Sequence, residues 1–491
     1  VCSSDLGAHT NTIDADWSSL DGTTANERSY DDSVTRVVDG SQDTDDASFT
    51  ATGINFSKTV DKATATIGEV VTYTLNITGP NGLIKNLVVA DTVESGWIYN
   101  NDAAITGLSV TPTLAISSPN DGSAAVNVSW TFGDVEKTTE PATITYSVTI
   151  ANETTTTTGD TLGNSATLNY NRADDTPATT LTDSTTTDVI EPDLAITKSL
   201  VTPPSNSVGS LVSYNLLLGH TASSTADAYD VVVSDTVPPA YLDFTASDNT
   251  ALTVTFTPAA CATYTNNSTP VTDTVNLSIA HLPQGCQASV NFTAVLRLEI
   301  TPGLLVTNTA YVDYSTLSGL PVEERTYQEN NGTSFTTWNP DVDKDLSSSS
   351  LADTTDPALT IGEVATFTIT VHVPEGTTNT LQVIDDLPLG MAYVDGSAVV
   401  DTLTDRTSTA VPAPAISTSG TNGGTVTFDF TGPIVIVDAD PLTEDDTFEI
   451  TLQATLLNDV NNQTGGTLDN QVTVQADGGA ILSDSATIAI V

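Results

Sequence analysis

Lysine is rare in this chain, and its positions suggest a reaction. Only six lysines occur among 491 residues, and three of them share one sequence context. An aspartate follows each of the three by 33, 37 or 41 residues, and an asparagine follows that aspartate by 73, 73 or 85 residues. The sets are Lys58/Asp91/Asn164, Lys198/Asp235/Asn308 and Lys344/Asp385/Asn470, with Asp386 as an alternative acid in the third.

These three residue types can form a covalent cross-link. A neutral lysine amine can attack an asparagine carboxamide, which releases ammonia and leaves an amide bond, and burial favours the neutral amine. A carboxyl that the same apolar setting keeps protonated can polarise the carbonyl and shuttle the proton. This hypothesis expects the lysine strand and the asparagine strand to be adjacent in one sheet. The alternative is an ordinary salt bridge at a sandwich edge, with the asparagine capping a turn.

A strand pattern that occurs three times must position these residues. Residues 67–76 begin with a glycine turn and then alternate apolar with polar side chains, and residues 208–216 and 361–369 repeat this pattern. Such alternation with β-branched and aromatic residues predicts half-buried strands. The repeat spacings of 141 and 153 residues are the size of a domain. In each repeat the lysine strand comes before this strand, the aspartate ends the next one, and the asparagine opens a late one.

The composition predicts the fold class and the domain organisation. Valine, threonine, serine, asparagine and glycine dominate, and one methionine occurs, which favours strands over helices. We predict an all-β protein of tandem immunoglobulin-like β-sandwich domains in an elongated array. The predicted divisions are residues 1–6 as a scar derived from a sequencing adaptor, 7–52 as the C-terminal strands of a truncated preceding repeat, and 53–191, 192–338 and 339–491 as β-sandwich repeats.

The repeated motifs resemble two kinds of known domain. The Ile196-Thr197-Lys198 strand, the strand of residues 208–216, the Val-x-Asp-Thr-x-Pro strand of residues 233–238 and the Asn308-Thr309-Ala310 strand are the motifs that carry the resemblance. They resemble the bacterial and archaeal surface repeats called the domain of unknown function eleven, and the isopeptide-forming domains of Gram-positive fimbrial and collagen-adhesin proteins. The resemblance implies an exported surface protein, and it implies the cross-linking roles for the lysine, aspartate and asparagine of each set above.

The charge and the cysteines restrict the partners and the location. A net charge of −50 excludes nucleic acid and disfavours anionic membranes, because both require clusters of lysine and arginine. No apolar run approaches the ~18 residues of a membrane span, so we expect no direct membrane insertion in this segment. Cys261 and Cys286 predict a disulfide in an oxidising, extracellular setting, with free buried thiols as the alternative.

Metal binding and catalysis receive little support from the sequence. The acidic loop with Asp438, Asp440, Asp445 and Asp446 offers the oxygen ligands that calcium prefers, although a solvated loop is the alternative. We expect no other cofactor. No zinc-ligand spacing, nucleophile elbow or phosphate-binding loop occurs, so we expect no catalysis on an external substrate.

The sequence therefore predicts an extracellular or cell-surface structural protein, serving as a stalk, an adhesin shaft or a filament subunit. The signal peptide of a secreted protein is absent from this fragment. Expected partners are other copies or other surface proteins. The alternative function is a ligand-binding adhesion module, in which aromatic residues near loops grip a glycan or a protein. The aromatic candidates for that alternative are Tyr241, Phe244, Trp338 and Tyr393.

Overall fold

The structure, a computed structural model, is all-β, as the sequence predicts. It describes residues 7–13, 17–18, 29–30, 45–51, 53–172, 175–201, 208–244, 252–269, 272–319, 321–351, 354, 356–401, 411–436 and 447–491. Those ranges contain strands and no α-helix. The first strands are β1 (Gly7–Ile13), β2 (Trp17–Ser18), β3 (Ser29–Tyr30) and β4 (Asp45–Ala51). Strand β1 pairs with β4 and β2 pairs with β3, both antiparallel.

The first sandwich has two sheets that face each other. One sheet has the order β10-β13-β7-β5, with β9 also on β13, and the other has the order β11-β12-β8-β14-β15-β6. The strands are β5 (Asn55–Val60), β6 (Thr64–Thr66), β7 (Val70–Thr78), β8 (Gly82–Val93), β9 (Trp97–Tyr99), β10 (Ala104–Thr106), β11 (Thr113–Ile116), β12 (Val126–Lys137), β13 (Ala142–Ile150), β14 (Thr161–Asn171) and β15 (Leu181–Ile190).

The second sandwich repeats this plan. Its sheets have the orders β16-β17-β23-β19, with β20 also on β23, and β21-β22-β18-β24-β25. The strands are β16 (Leu194–Leu200), β17 (Leu211–His220), β18 (Ala228–Thr236), β19 (Leu242–Asp243), β20 (Thr253–Thr257), β21 (Thr265–Asn266), β22 (Thr274–Leu282), β23 (Gln287–Leu296), β24 (Leu305–Ser315) and β25 (Thr326–Thr336).

The third sandwich follows the same plan again. Its sheets have the orders β26-β28-β34-β30, with β31 also on β34, and β27-β36-β35-β29-β33-β32. The strands are β26 (Asp341–Ser349), β27 (Ala358–Leu359), β28 (Val364–His372), β29 (Gly376–Leu387), β30 (Met391–Tyr393), β31 (Val399–Asp401), β32 (Ala415–Thr418), β33 (Gly424–Ile436), β34 (Thr447–Leu456), β35 (Thr467–Ala476) and β36 (Leu482–Ile490).

Each sandwich has its own apolar interior. Strand β7 buries every second residue from Val71 to Ile77, as expected for a half-buried strand. Three hydrophobic cores result, within residues 54–189, 194–335 and 342–490. The first core lies in one compact unit of the chain, and the second and third lie in another. The site residues lie at the inward-facing positions of this alternation.

The predicted disulfide is confirmed. Cys261 and Cys286 are bonded, with a Cα–Cα distance of 5.9 Å. Antiparallel pairing of β20 with β23 brings the two cysteines together, since Cys261 follows β20 and Cys286 comes just before β23. The cross-link therefore ties an outer strand of the second sandwich to a central one.

Candidate functional site

In all three repeats the lysine and the aspartate meet in the interior. Lys58 lies on β5, and its Nζ binds the Asp91 carboxyl on β8, with both side chains 0% exposed. The same contact, equally buried, recurs between the other lysines and their aspartates. Asp386, the alternative acid of the third set, faces solvent, so Asp385 is the buried acid. The matching pairs in the second and third repeats are Lys198–Asp235 and Lys344–Asp385.

The asparagine lies next to the aspartate on the same face of the sheet. Asp91 is directly opposite Ala166, and Asn164 is two residues before Ala166 on β14. Side chains two residues apart on a strand share a face, so the carboxamide is a diagonal neighbour of the carboxyl. In the third repeat Asp385 is opposite Val472, which places Asn470 in the same way. The three asparagines are at most 1% exposed.

The expected adjacency of the lysine and asparagine strands in one sheet is wrong. Strand β5 belongs to one sheet and β14 to the other, and the second and third repeats have the same arrangement. The lysine therefore reaches its partners across the sandwich interior. Sequence spacing cannot distinguish the two cases, because both place the side chains inward. The asparagines also lie within strands and not at turns, unlike the turn cap of the alternative interpretation.

The hydrogen bonding of the carboxamide differs between repeats. Asn164 donates through Nδ2 to the Tyr146 hydroxyl at 2.9 Å, and Lys58 Nζ donates to the same hydroxyl at 2.8 Å. Asn308 and Asn470 have no partner in hydrogen-bonding geometry for either polar atom. They nevertheless lie against Asp235 and Asp385, where they act to lower the pKa of these carboxyls. A buried carboxamide without full hydrogen bonding costs free energy in the folded protein.

Burial favours the uncharged forms of the lysine and the aspartate. Desolvation lowers the pKa of Lys58 to about 8, against the opposing charge of Asp91, and it lowers the pKa of Lys198 to about 8. The pKa of Lys344 is also lowered by burial. Desolvation raises the pKa of each aspartate, although its lysine opposes the rise. The contact has the distance of an ion pair, but both shifts move the proton toward a neutral amine and a carboxylic acid.

Aromatic rings exclude water from the amine. Lys58 Nζ is 4.6 Å from the ring centre of Tyr73 and 5.4 Å from that of Tyr146. Lys198 has the same distances to two rings of the second repeat, and Lys344 is 5.1 Å from one ring of the third. Each site therefore holds an amine, an acid and a carboxamide in a dry, apolar pocket. The rings of the second and third repeats are Tyr214, Phe292 and Phe367.

A fourth lysine has similar neighbours but a different environment. Lys137 Nζ binds Glu140 and lies 3.1 Å from Asn81 Oδ1. The Lys137 side chain is 0% exposed, whereas that of Glu140 is 50% exposed. The hydrogen bond from Lys137 lowers the pKa of Glu140, so this acid is ionised and cannot act as the proton donor. Sequence reasoning missed this set, since it lacks a counterpart in the other repeats.

The remaining predicted candidates do not converge on one site. Phe244 is buried in the second core, and Tyr241 and Tyr393 pack against cores, so only Trp338 of the aromatic candidates is exposed, at 41%. The calcium candidates Asp438, Asp440, Asp445 and Asp446 lie outside the described residues. Elsewhere, the described ranges contain no group of three metal-ligating side chains. No helix in the described part of the chain has the length and apolar character of a membrane crossing.

No protein-family model matches the chain, and no curated protein does. Among solved structures, the chain is similar to the collagen adhesin of S. aureus, with 15% identity, a TM-score of 0.19 and coverage of 57% of this chain and 92% of that one. It is similar to a 35 kDa C-terminal fragment of a major pilin of Streptococcus agalactiae, with 12% identity, a TM-score of 0.22 and coverage of 56% and 91%.

A cohesin module of a Clostridium perfringens glycoside hydrolase is similar at 13% identity, with a TM-score of 0.20 and coverage of 28% of this chain and 96% of that module. At these TM-scores none of the three likenesses carries an argument about activity or partners. The assignment of three β-sandwiches therefore stands on the sheet topology of the chain itself.

Proposed function

We propose that this chain is a structural protein of the cell exterior, in which a lysine–asparagine isopeptide bond stiffens each β-sandwich. The observation that carries the proposal is the threefold burial of an amine beside a carboxyl and a carboxamide, in a chain with only six lysines. All three carboxamides lie against the buried carboxyl or the tyrosine beside it. An ordinary buried ion pair needs no such third residue.

The reaction is balanced within each site. The neutral lysine Nζ attacks Cγ of the asparagine while the protonated aspartate polarises the carboxamide oxygen. The aspartate then transfers the proton lost by the amine to Nδ2. The Cγ–Nδ2 bond breaks, ammonia leaves, and an Nζ–Cγ amide remains. No oxidant, metal or cofactor is required, and the aspartate ends in the protonation state in which it began.

The bond gives the sandwich a short path for mechanical load. Lys58 lies near the start of its repeat, and Asn164 is followed only by the rest of β14 and by β15. A bond between them carries force past the 105 residues that separate them. At full extension those residues would span about 370 Å, so the bond prevents that lengthening. This property suits a stalk, an adhesin shaft or a filament subunit.

The disulfide and the net charge of −50 are consistent with an extracellular location. We propose other copies or other surface proteins as the partners of such a shaft. A protein-ligand or glycan-ligand role has one observation in its favour: Trp338 borders a 650 Å³ cavity together with Asp343 and His372. Quenching of Trp338 fluorescence by oligosaccharides tests that second candidate, with Trp338→Ala as its control.

Intact-mass measurement tests the proposed cross-links. After reduction of the disulfide, each bond lowers the mass of the chain by about 17 Da, the mass of one ammonia. Single-molecule stretching tests the mechanical role, since a cross-linked repeat lengthens by about 370 Å less than an unlinked one. A chain with the plain sequence mass and fully extensible repeats would contradict the proposal.

A further inference from the structure

In each repeat, a side chain of the last strand binds the backbone of the lysine strand at the reactive lysine itself. The acceptor is a carboxylate oxygen in the first and third repeats and a carboxamide oxygen in the second. All three acceptor residues are half-buried. The donor–acceptor pairs are Lys58 N to Asp183 Oδ2 at 2.7 Å, Lys198 N to Asn331 Oδ1 at 2.9 Å, and Lys344 N to Asp484 Oδ2 at 2.7 Å.

The lysine N–H is available because the lysine strands are edge strands. Strands β5, β16 and β26 each pair with a neighbour on one side only. Half of the N–H groups of an edge strand point away from its sheet and need another acceptor. Strands β15, β25 and β36 belong to the opposite sheet, so the side-chain contact bridges the two sheets at the level of the lysine.

The register of this edge strand decides whether the reaction can occur. Lys58 is opposite Leu75 of β7, which turns its side chain inward. A slip of one residue would turn the lysine toward solvent, because side chains alternate between the two faces of a strand. An edge strand is held by one partner only, so a second contact at the lysine residue itself resists such a slip.

We propose that Asp183, Asn331 and Asp484 are positioning residues for cross-linking, each of which fixes the register and depth of the reactive lysine by binding its backbone N–H. This inference rests on the proposed function. The residue type differs between repeats, but in each of them a side-chain oxygen accepts the hydrogen bond from the lysine N–H. Asparagine and aspartate have nearly the same shape, so the chain itself contains both a charged and a neutral version of the contact.

The two versions differ in their effect on the lysine side chain. The charge of Asp183 acts to raise the pKa of Lys58, and that of Asp484 acts to raise the pKa of Lys344. Asn331 carries no charge. Substitution of aspartate by asparagine, or the reverse, therefore separates two effects. Positioning of the lysine requires only a hydrogen-bond acceptor, whereas the effect on its pKa requires the charge.

The first experiment measures the rate of ammonia loss. Full-length chain is recovered unfolded in denaturant, refolded by dilution, and followed by intact and peptide mass. Asp183→Ala is expected to slow the formation of the Lys58–Asn164 bond about tenfold, the effect of losing one hydrogen bond to a charged acceptor. Asp183→Asn is expected to keep the parent rate at high pH, where the amine is fully neutral, and to shift the pH profile toward lower pH. Asn331→Asp is expected to shift the profile of the second repeat toward higher pH.

The matched control is Thr182→Ala, because Thr182 is the exposed neighbour of Asp183 on the same strand. It is expected to react like the parent. Equal rates for Asp183→Ala and the parent would overturn the inference. Equal slowing by Thr182→Ala and Asp183→Ala would also overturn it, since any damage to the strand would then suffice.

A second measurement does not depend on bond formation. In full-length Asn164→Ala, which has no carboxamide to react, hydrogen exchange of the Lys58 amide reports the contact directly. Adding Asp183→Ala is expected to speed this exchange about tenfold, and adding Asp183→Asn to leave it within about twofold. Unchanged exchange with Asp183→Ala overturns the positioning role. Absence of ammonia loss from the parent chain overturns the proposed function, and the exchange result still decides the positioning role.

Discussion

The pairs of aromatic rings beside the amine differ by one hydroxyl group between the first and second repeats. Tyr146 is opposite Tyr73 on neighbouring strands, and Phe292 is opposite Tyr214 in the same way. The two ring pairs stack with the same interplanar angle of 26°, at centroid distances of 5.7 and 5.3 Å. The third repeat has Leu452 at this position, opposite Phe367.

The Tyr146 hydroxyl changes how many hydrogen bonds the unreacted site contains. In the first repeat it accepts hydrogen bonds from Lys58 and Asn164 and also lies against Asp91. In the second repeat Phe292 offers no hydroxyl at this position, and the Asn308 carboxamide, which lies near Tyr214 and Asp235, makes no hydrogen bond of ordinary geometry. Each hydrogen bond that a buried polar group lacks costs free energy in the unreacted state. Identical reactive residues therefore start from different free energies, and we expect faster cross-linking in the second repeat than in the first.

The largest expected effect is the loss of the bond itself. Asn308→Ala is expected to abolish the deficit of about 17 Da that the second repeat shows relative to the mass calculated from its own sequence. It is also expected to lower the free energy of unfolding by about 4–5 kcal/mol, because a closed loop of roughly 100 residues is opened in the unfolded state. Denaturant titration measures this loss. Asn276→Ala is the control, since Asn276 lies on β22 outside the site. Equal unfolding curves for Asn308→Ala and the parent would contradict the account.

A pH profile sharpens the comparison of the two repeats. The lysine amine reacts only when neutral, and the pKa of both Lys58 and Lys198 is about 8. Below the pKa of its amine the neutral fraction falls about tenfold for each unit of pH, so the rate of ammonia loss is expected to fall with decreasing pH in both repeats. Refolding from denaturant at pH 5–9, with quenched samples analysed by peptide mass, measures this. Different midpoints would show that the two repeats react at different rates because the pKa of the amine differs, and not because of the Tyr146 hydroxyl.

Substitutions that remove the hydroxyl from the first repeat and add one to the second test its effect directly. Tyr146→Phe is expected to speed cross-linking in the first repeat about tenfold, and Phe292→Tyr to slow it in the second by a similar factor, since one or two hydrogen bonds of the unreacted site are removed or added. The readout is the same refolding time course. Tyr99→Phe is the control, because Tyr99 packs on Tyr146 at 5.6 Å but its hydroxyl has no hydrogen-bond partner. If Tyr99→Phe changed the rate as much, packing would be the cause.

The smallest expected effect is at Lys137, where no bond should form. Its amine is close to Asn81 Oδ1, but the acid beside it is half-exposed and ionised. An ionised carboxyl has no proton to transfer to the leaving ammonia. Peptide mapping is expected to recover Lys137 and Asn81 in separate peptides at their plain masses, even after incubation at pH 9. A cross-link there would show that burial of the acid is not required.

The sequence predicted which residues meet but not how they are held. Recurrence of a lysine, an aspartate and an asparagine at similar spacings was enough to identify all three buried sets. Spacing could not assign β5 and β14 to opposite sheets, because membership of a sheet depends on long-range pairing. The sequence does contain a signal for the Asp183 contact: Asp183-Ser184 and Asp484-Ser485 occupy the same place in their repeats. Tyr146 carried no such signal, since Phe292 and Leu452 differ from it in chemistry.

Peptide mapping of the full-length chain tests the central claim most directly. After reduction and proteolysis, the account predicts three branched peptides, each joining a site lysine to its asparagine and each about 17 Da lighter than the sum of its two parts. The pairs are Lys58 with Asn164, Lys198 with Asn308, and Lys344 with Asn470. Recovery of Lys198 and Asn308 in separate peptides of unmodified mass, from chain folded at pH 8, would contradict it.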